Sequence, residues 1–194
     1  MLEFFNNVYN FIMGLIIGSS FYGPIIACFL IFIESIMPVL PLFVFITILF
    51  ISYGYFWGYI ISYILTCLGC YFSFYLCRKY LRNYFIKKVR KINKFNNFMK
   101  IIDDISLTNL SLLIAIPFTP AFAVNIAAAI SNMDFKKYAI SIIIGKIFMV
   151  AFWGFIGTTL IESLKNPKIM IIIIFMMIIV YIISKIVNKK LKIE

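Results

Sequence analysis

The chain has 194 residues, of which 64% are hydrophobic, and its mean hydropathy is +1.06. An ordinary soluble domain is about half apolar, and a soluble protein with this surplus would expose large apolar patches to water. The composition therefore excludes a soluble enzyme and predicts one membrane-embedded domain. The net charge is +11, and the basic residues lie between apolar runs, which is typical of cytoplasmic loops facing anionic lipids. Nucleic-acid binding is not expected from this distribution.

Few residue types in the chain could carry catalysis or bind metal. There is no His, which removes the commonest metal ligand and the commonest general base. Cys67 and Cys70 form a C-x-x-C, a spacing found in redox and zinc sites. Because they lie in an apolar run without a second ligand pair, a packing role is favoured. The sequence predicts no enzyme, no metal site and no cofactor.

The first segment, residues 1–21, does not read clearly as a transmembrane span. Its apolar part, Phe4–Ile17, is short and contains three Asn residues, so an interfacial helix is as good an interpretation as a membrane segment. It lacks a basic start and a small-residue cleavage site, so no signal peptide is expected.

Three later segments have the length and apolarity of transmembrane helices, near the 20 residues that a bilayer requires. They are Tyr55–Cys77, Tyr138–Leu160 and Lys168–Val187. Asp134 is a candidate N-cap for the second helix. Pro167 should open the third helix, at a position where its missing N–H costs little.

Two other apolar stretches, residues 24–51 and 106–130, are interrupted by prolines. The breaks are Pro38 and Pro41 in the first stretch and Pro117 and Pro120 in the second. Proline removes backbone hydrogen bonds that no water can replace inside a membrane. Each stretch is therefore either a kinked crossing helix or a re-entrant hairpin that enters and leaves on one side.

Charge favours the hairpin. Residues 78–100 carry nine basic and no acidic residues, so the loop 78–104 is expected in the cytoplasm. If 106–130 crossed fully, the basic tail 188–194 would lie outside. If it is re-entrant, Lys136, Lys137 and the tail all lie inside. The C-terminus is therefore predicted to lie in the cytoplasm. The protein itself is predicted to lie in the plasma membrane.

The two proline-broken stretches also align with each other. A shift of 79 positions superimposes both proline pairs and a set of matching Ile, Ser, Phe and Tyr residues that follow them. The helix after the first hairpin must run inward and the helix after the second outward, so the two units are inverted. The predicted fold is an all-α polytopic membrane domain over 22–187. It contains an inverted repeat of two re-entrant hairpins, each followed by a transmembrane helix, plus a C-terminal transmembrane helix.

Glu34 stands at the predicted tip of the first hairpin, without a basic neighbour in sequence. A carboxylate at membrane depth costs several kcal/mol unless it is paired, hydrated or protonated, so a role as proton or cation carrier is one interpretation. The other is that the hairpin stops near the headgroups and Glu34 reaches them.

Other polar residues at membrane depth are candidates for the pathway. Lys146 could pair with Glu34, receive an anionic headgroup, or extend its stem to the inner interface. Asn125 is the best candidate for polar lining, since it is an amide among apolar residues. Further candidates are Thr47, Thr119 and the backbone freed by Pro38, Pro41, Pro117 and Pro120.

The elements Glu34-Ser-Ile-Met-Pro38-Val-Leu-Pro41 and Pro117-Phe-Thr-Pro120-Ala-Phe-Ala-Val-Asn125-Ile-Ala-Ala resemble those of the DedA family, the VTT-domain or SNARE-associated Golgi protein superfamily. The resemblance covers roughly residues 25–160. It implies opposed re-entrant hairpins, Glu34 as the hairpin carboxylate, and lipid translocation: undecaprenyl phosphate recycling or phospholipid scrambling, with proton coupling in bacterial members. Members often carry an arginine before the second proline motif, where this chain has Leu113-Ile114-Ala115-Ile116.

The preferred hypothesis is a lipid transporter or scramblase whose partners are membrane lipids, anionic headgroups at the basic loop, and protons as coupling ions. A proton- or cation-coupled carrier of small solutes and a membrane scaffold without transport are the alternatives. The sequence does not indicate an oligomeric state.

Overall fold

The computed structural model describes residues 22–36, 41–82, 93–118, 121–163 and 167–190. Within these ranges the chain is helical and contains no strand. The helices are α1 (Tyr22–Ile36), α2 (Leu42–Leu76), α3 (Asn93–Asp104), α4 (Leu107–Ala115), α5 (Ala121–Ile130), α6 (Phe135–Ser163) and α7 (Pro167–Lys190). A π-helical turn, Cys77–Leu81, continues α2. The all-α prediction is thus confirmed for this part, whereas the predicted N-terminal segment 1–21 lies outside the described residues.

The three segments predicted to span are helical. They correspond to residues 55–76 of α2, most of α6 and most of α7. Two stretches are long and apolar enough to cross a bilayer, Leu42–Tyr80 and Phe135–Leu160; in the first, the straight helix that could cross begins after Gly54. The apolar part of α7, Ile171–Val187, is shorter, so its crossing stays a prediction.

Both predicted helix starts are confirmed. The Asp134 carboxylate accepts a hydrogen bond from the Lys136 N–H at 3.2 Å, which caps the first turn of α6. Pro167 is the first residue of α7. In each case a local signal decides the helix start, because the first N–H groups of a helix have no partner within it.

α2 is two helical segments joined by a reversal at Gly54. Gly54 has φ 76° and ψ 171°, a backbone conformation that is almost restricted to glycine. A Cβ at Gly58 would come within 2.7 Å of the carbonyl oxygen of Leu49. Nine residues of straight helix would separate these positions by about 13 Å. Residues 42–53 therefore fold back along residues 55–76.

α2 and α6 pack against each other in opposite directions. The hydroxyl of Tyr63 donates a hydrogen bond to the carbonyl oxygen of Ile143 at 3.0 Å. Those of Tyr59 and Tyr71 donate to the carbonyl oxygens of Ile147 and Ala139, both at 3.1 Å. Partner numbers on α6 fall as those on α2 rise, so the two helices are antiparallel, as predicted for the helices of the two units.

Small residues bring the shorter helices close to this pair. A Cβ at Gly69 of α2 would lie 2.5 Å from the Cβ of Ser35 on α1. A Cβ at Gly145 of α6 would lie 2.7 Å from that of Ile114 on α4. Glycine permits such approaches, and close backbone packing is a main source of helix association in lipid.

The end of α5 is held by arginines that follow α2. The Arg78 guanidinium donates hydrogen bonds of 2.8–3.1 Å to the carbonyl oxygens of Ala128, Ala129, Ser131 and Met133. It also lies 4.3 Å from the centre of the Phe74 ring. Arg82 donates to the carbonyl oxygen of Ile130 at 3.0 Å. The sequence predicted only that this basic segment is a cytoplasmic loop, whereas these two side chains satisfy the carbonyl end of a helix.

Candidate functional site

Lys146 is a buried cation between the helices. It lies on α6 and only 3% of it is exposed. Within the described residues, its ammonium makes one hydrogen bond, to the Sδ of Met149 at 3.3 Å. A thioether is a weak acceptor, and an ammonium has three protons to donate. The charge is therefore buried without the partners that normally compensate burial.

Glu34 approaches Lys146 from a different helix. It lies near the end of α1, is half-buried, and is close enough to Lys146 for the two charges to interact electrostatically. The two residues are 112 positions apart in sequence, and packing of α1 and α6 onto α2 brings them together. Opposite charges inside an apolar protein attract strongly because little water screens them. The two residues therefore lie near each other, and their direct pairing stays a prediction.

Asn125 adds a third polar group. It is 4% exposed, and its side-chain amide donates to the Sγ of Cys70 at 3.4 Å. Its Oδ1 is buried and accepts no hydrogen bond from the residues that the structure describes, and the Oγ of Ser62 on α2 is likewise without a partner among them. Buried polar atoms without partners are rare in proteins, and a functional role or a bound molecule is one common explanation.

Two cysteines connect these groups. Cys67, on the turn before Cys70, lies within electrostatic range of Lys146. Both thiols are buried and free. No group of residues suited to holding a metal ion occurs in the part of the chain that the structure describes. The C-x-x-C therefore contributes contacts to the polar cluster, which we define as Glu34, Cys67, Cys70, Asn125 and Lys146.

The proline residues of the predicted pathway occupy helix ends. Pro41 immediately precedes α2, and its carbonyl oxygen accepts from the N–H of Val44 at 3.0 Å. Pro117 lies in the turn after α4. Pro38, Thr119 and Pro120 lie outside the described residues. Thr47 donates to the carbonyl oxygen of Phe43 within its own helix, which satisfies its hydroxyl proton.

The structure thus places Glu34 near Lys146 and links Asn125 to them through Cys70 and Cys67, and it leaves the functional roles of these residues and of the prolines as predictions. Sequence reasoning missed Cys70 as the partner of Asn125 and Met149 as that of Lys146. The contact of Met149 with Lys146 could have been found from the sequence, since residues three apart on a helix share a face. No sequence pattern reveals the contact of Cys70 with Asn125, because it depends on the packing of α5 against α2.

Comparisons with known proteins agree with this architecture. The VTT domain family matches residues 37–159, which include Asn125, Lys146 and most of both long helices but begin after Glu34. The chain is also 27% identical over 173 residues to a Bacillus subtilis (strain 168) protein described as the uncharacterized membrane protein YhjE. That similarity covers 89% of this chain and 84% of the relative. No solved structure matches significantly.

A helical protein with two helices long and apolar enough to cross a bilayer and a cation buried between its helices has the features of a membrane protein. More particularly, the chain belongs to the VTT-domain (DedA) family, as the paired proline motifs indicated.

Proposed function

We propose that this protein moves lipids across the membrane, as a transporter or scramblase, with the headgroup passing through the polar cluster. The observation that carries the proposal is the buried ammonium of Lys146, whose hydrogen-bond partner is a thioether. A charged side chain at the centre of a bilayer costs about 2.5–3.5 kcal/mol or more, so a purely structural role would favour an apolar residue.

The cluster suits a charged headgroup because it presents both signs of charge. The Lys146 ammonium can take the place of water around a phosphate, and the Oδ1 of Asn125 can accept from a hydroxyl or ammonium group. Glu34 can release Lys146 when a phosphate arrives, since both anions compete for the same cation. The family resemblance suggests undecaprenyl phosphate or a phospholipid as the lipid.

We further propose that the fold is the inverted repeat of two re-entrant hairpins. The helices preceding each break end at Ile36 and Ala115, and those following begin at Leu42 and Ala121, so both ends differ by 79 positions. α4 and α5 have nine and ten residues, about 14–15 Å each, half of a 30 Å hydrocarbon core.

The contacts of the second hairpin support its return to one side. α4 begins where the carbonyl oxygen of Leu107 accepts from the Oγ of Ser141 at 3.4 Å, near the start of α6. α5 ends in the short turn that leads to Asp134 and α6. Both ends of the hairpin thus lie beside the same end of α6. The positive-inside rule assigns that end to the cytoplasm, and we place the protein in the plasma membrane.

Transport can be measured in liposomes that contain the purified protein, with fluorescent phospholipid and undecaprenyl phosphate tested separately. Lys146→Met should abolish translocation of the lipid that uses the pathway, and Glu34→Gln should slow it. Lys185→Met is the matched control because Lys185 is exposed on α7, far along the chain from the cluster. Equal transport by all four proteins would refute the role of the cluster.

A carrier of small solutes coupled to protons or cations is the second candidate, favoured by the acidic residue beside Lys146. It predicts charge movement driven by a soluble substrate in the same vesicles, with no lipid translocation. If correctly folded protein is silent in both assays, the scaffold interpretation gains weight.

A further inference from the structure

An apolar groove lies between α6 and α7, at some distance along α6 from the polar cluster. It has a volume of about 420 Å³ and is shallow and largely open to the surroundings. Its lining is almost wholly apolar, and one end carries two aromatic rings. The lining residues are Phe118, Ile156, Leu160, Ile173, Ile174, Met177, Ile178 and Tyr181.

We propose that this groove is a binding site for one hydrocarbon chain of a membrane lipid. The groove opens beside residues of α7 that are exposed to the surroundings, and in a membrane protein those surroundings are lipid. Water gains nothing in a cavity without polar partners, so an aqueous filling is disfavoured. A flexible unbranched hydrocarbon chain can lie against branched aliphatic side chains and gain dispersion contacts with them.

Three elements line the groove. α6 and α7 provide most of the lining, and Phe118, from the turn after α4, provides the rest. The Phe118 ring lies 6.0 Å from that of Tyr181 on α7 and 6.1 Å from that of Trp153 on α6. A bound chain would therefore contact the hairpin that carries Asn125, whereas the ordinary lipid around the protein contacts only the outer helix faces.

The groove also continues a stripe of the helix that carries Lys146. Lys146, Met149, Trp153, Ile156 and Leu160 follow one another at spacings of three and four residues, which places them on one face of α6. The rise from Lys146 to Ile156 is about 15 Å along the axis. One face of α6 thus presents a cation at one level and an apolar groove at another. The proposal extends the lipid function proposed above, and its test measures binding rather than transport.

Trp153 reports on the groove because its ring lies 6.1 Å from that of Phe118, which lines the groove. The chain contains two tryptophans, so Trp57→Phe leaves Trp153 as the single fluorophore of this kind. Bromine atoms on lipid chains quench tryptophan fluorescence at short range. The Trp57→Phe protein would be placed in phosphatidylcholine vesicles with increasing fractions of a lipid brominated in mid-chain. We expect quenching of Trp153 to saturate at a low fraction of brominated lipid, as binding to a site requires.

A pair of double variants separates the groove from the rest of α7. Ile174→Phe with Ile178→Phe narrows the groove, and we expect it to lower the quenching at least twofold. Ile179→Phe with Ile183→Phe adds the same bulk to exposed positions of the same helix that do not line the groove, and should leave quenching unchanged. Helix content by circular dichroism shows whether each variant folds.

Quenching that rises in proportion to the brominated fraction would overturn the proposal, since it would show ordinary surrounding lipid. Absence of quenching would also overturn it and would indicate a protein occupant, either residues 1–21 or a second copy. These results are independent of transport. Saturable quenching without translocation would refute the proposed function alone, and translocation without saturable quenching would refute the groove site alone.

Discussion

Replacing Arg78 by Met should destabilise the protein even though Arg78 lies in a run of basic residues expected to be solvated. The guanidinium has donors directed at four carbonyl oxygens between Ala128 and Met133, where α5 ends and the turn to α6 begins. Methionine keeps much of the apolar stem but donates nothing. The carbonyl groups at the end of α5 would then lose their partners.

The size of the effect follows from the contacts. The Nε and Nη2 groups supply three N–H donors, and a net gain of about 1 kcal/mol per hydrogen bond is usual. The contact with the Phe74 ring adds about 0.5–1 kcal/mol. Because the guanidinium is only partly buried, water replaces some of these bonds, and we expect a loss of about 2–3 kcal/mol. For a chain of this length that corresponds to a fall in melting temperature of roughly 5–10 °C.

Thermal unfolding in a mild detergent, followed by circular dichroism, measures this loss. Arg78→Lys should fall in between, since an ammonium cannot reach all of the carbonyl oxygens that the planar guanidinium reaches. Lys79→Met is the matched control, because Lys79 is exposed and contacts only the rings of Tyr75 and Tyr80 among the described residues. If Arg78→Met had the same melting temperature as the wild type, the hydrogen bonds from Arg78 to the end of α5 would contribute nothing to stability and the reasoning would be wrong.

Three further changes test other parts of the fold by the same melting assay. Gly54→Ala should lower the free energy of unfolding by about 1–3 kcal/mol, because φ 76° with ψ 171° strains any residue but glycine, although no atom lies within 4 Å of the added Cβ. A neutral result would contradict the reversal at Gly54. Gly157→Ala should lower the melting temperature because the added Cβ collides with the hydroxyl of Thr47, and adding Thr47→Ala should recover part of that loss. Equal melting temperatures of the single and double variants would argue against that contact. Lys146→Met should preserve or raise the melting temperature, because it removes a poorly compensated buried charge, and it should abolish transport. A large loss of stability would show instead that the lysine is structural.

Local signals made much of the fold predictable. The prolines predicted breaks in two apolar stretches, and the helices end or begin beside them, at Ile36 and Leu42 and at Ala115 and Ala121. Asp134 and Pro167 marked helix starts for reasons that involve only neighbouring backbone groups. A reversal between the first hairpin and the helix from Tyr55 was implied by the predicted topology, but Gly54 was not singled out as its position, because a glycine in an apolar run is compatible with both a straight and a reversed chain.

The site was only partly predictable for a different reason. Glu34, Asn125 and Lys146 were recognisable because polar groups are costly in an apolar run. Their partners were not, since a contact between α1 and α6, or between α5 and α2, depends on how each helix is rotated and how closely glycines let the helices approach. Arg78 illustrates the same limit: its charge suggested a loop, and its hydrogen bonds join it to a turn about fifty residues away.

The sequence by itself therefore determined that the protein lies in lipid, where along the chain its helices are, and which polar residues are candidates for a functional role. These follow from the apolar surplus and from the need of every backbone N–H and C=O in lipid to find a partner within its own segment. The tertiary structure decided which of those residues meet. It placed Glu34 near Lys146, turned Asn125 to Cys70 and formed the groove between α6 and α7, because side-chain contacts across helices are set by packing rather than by order along the chain.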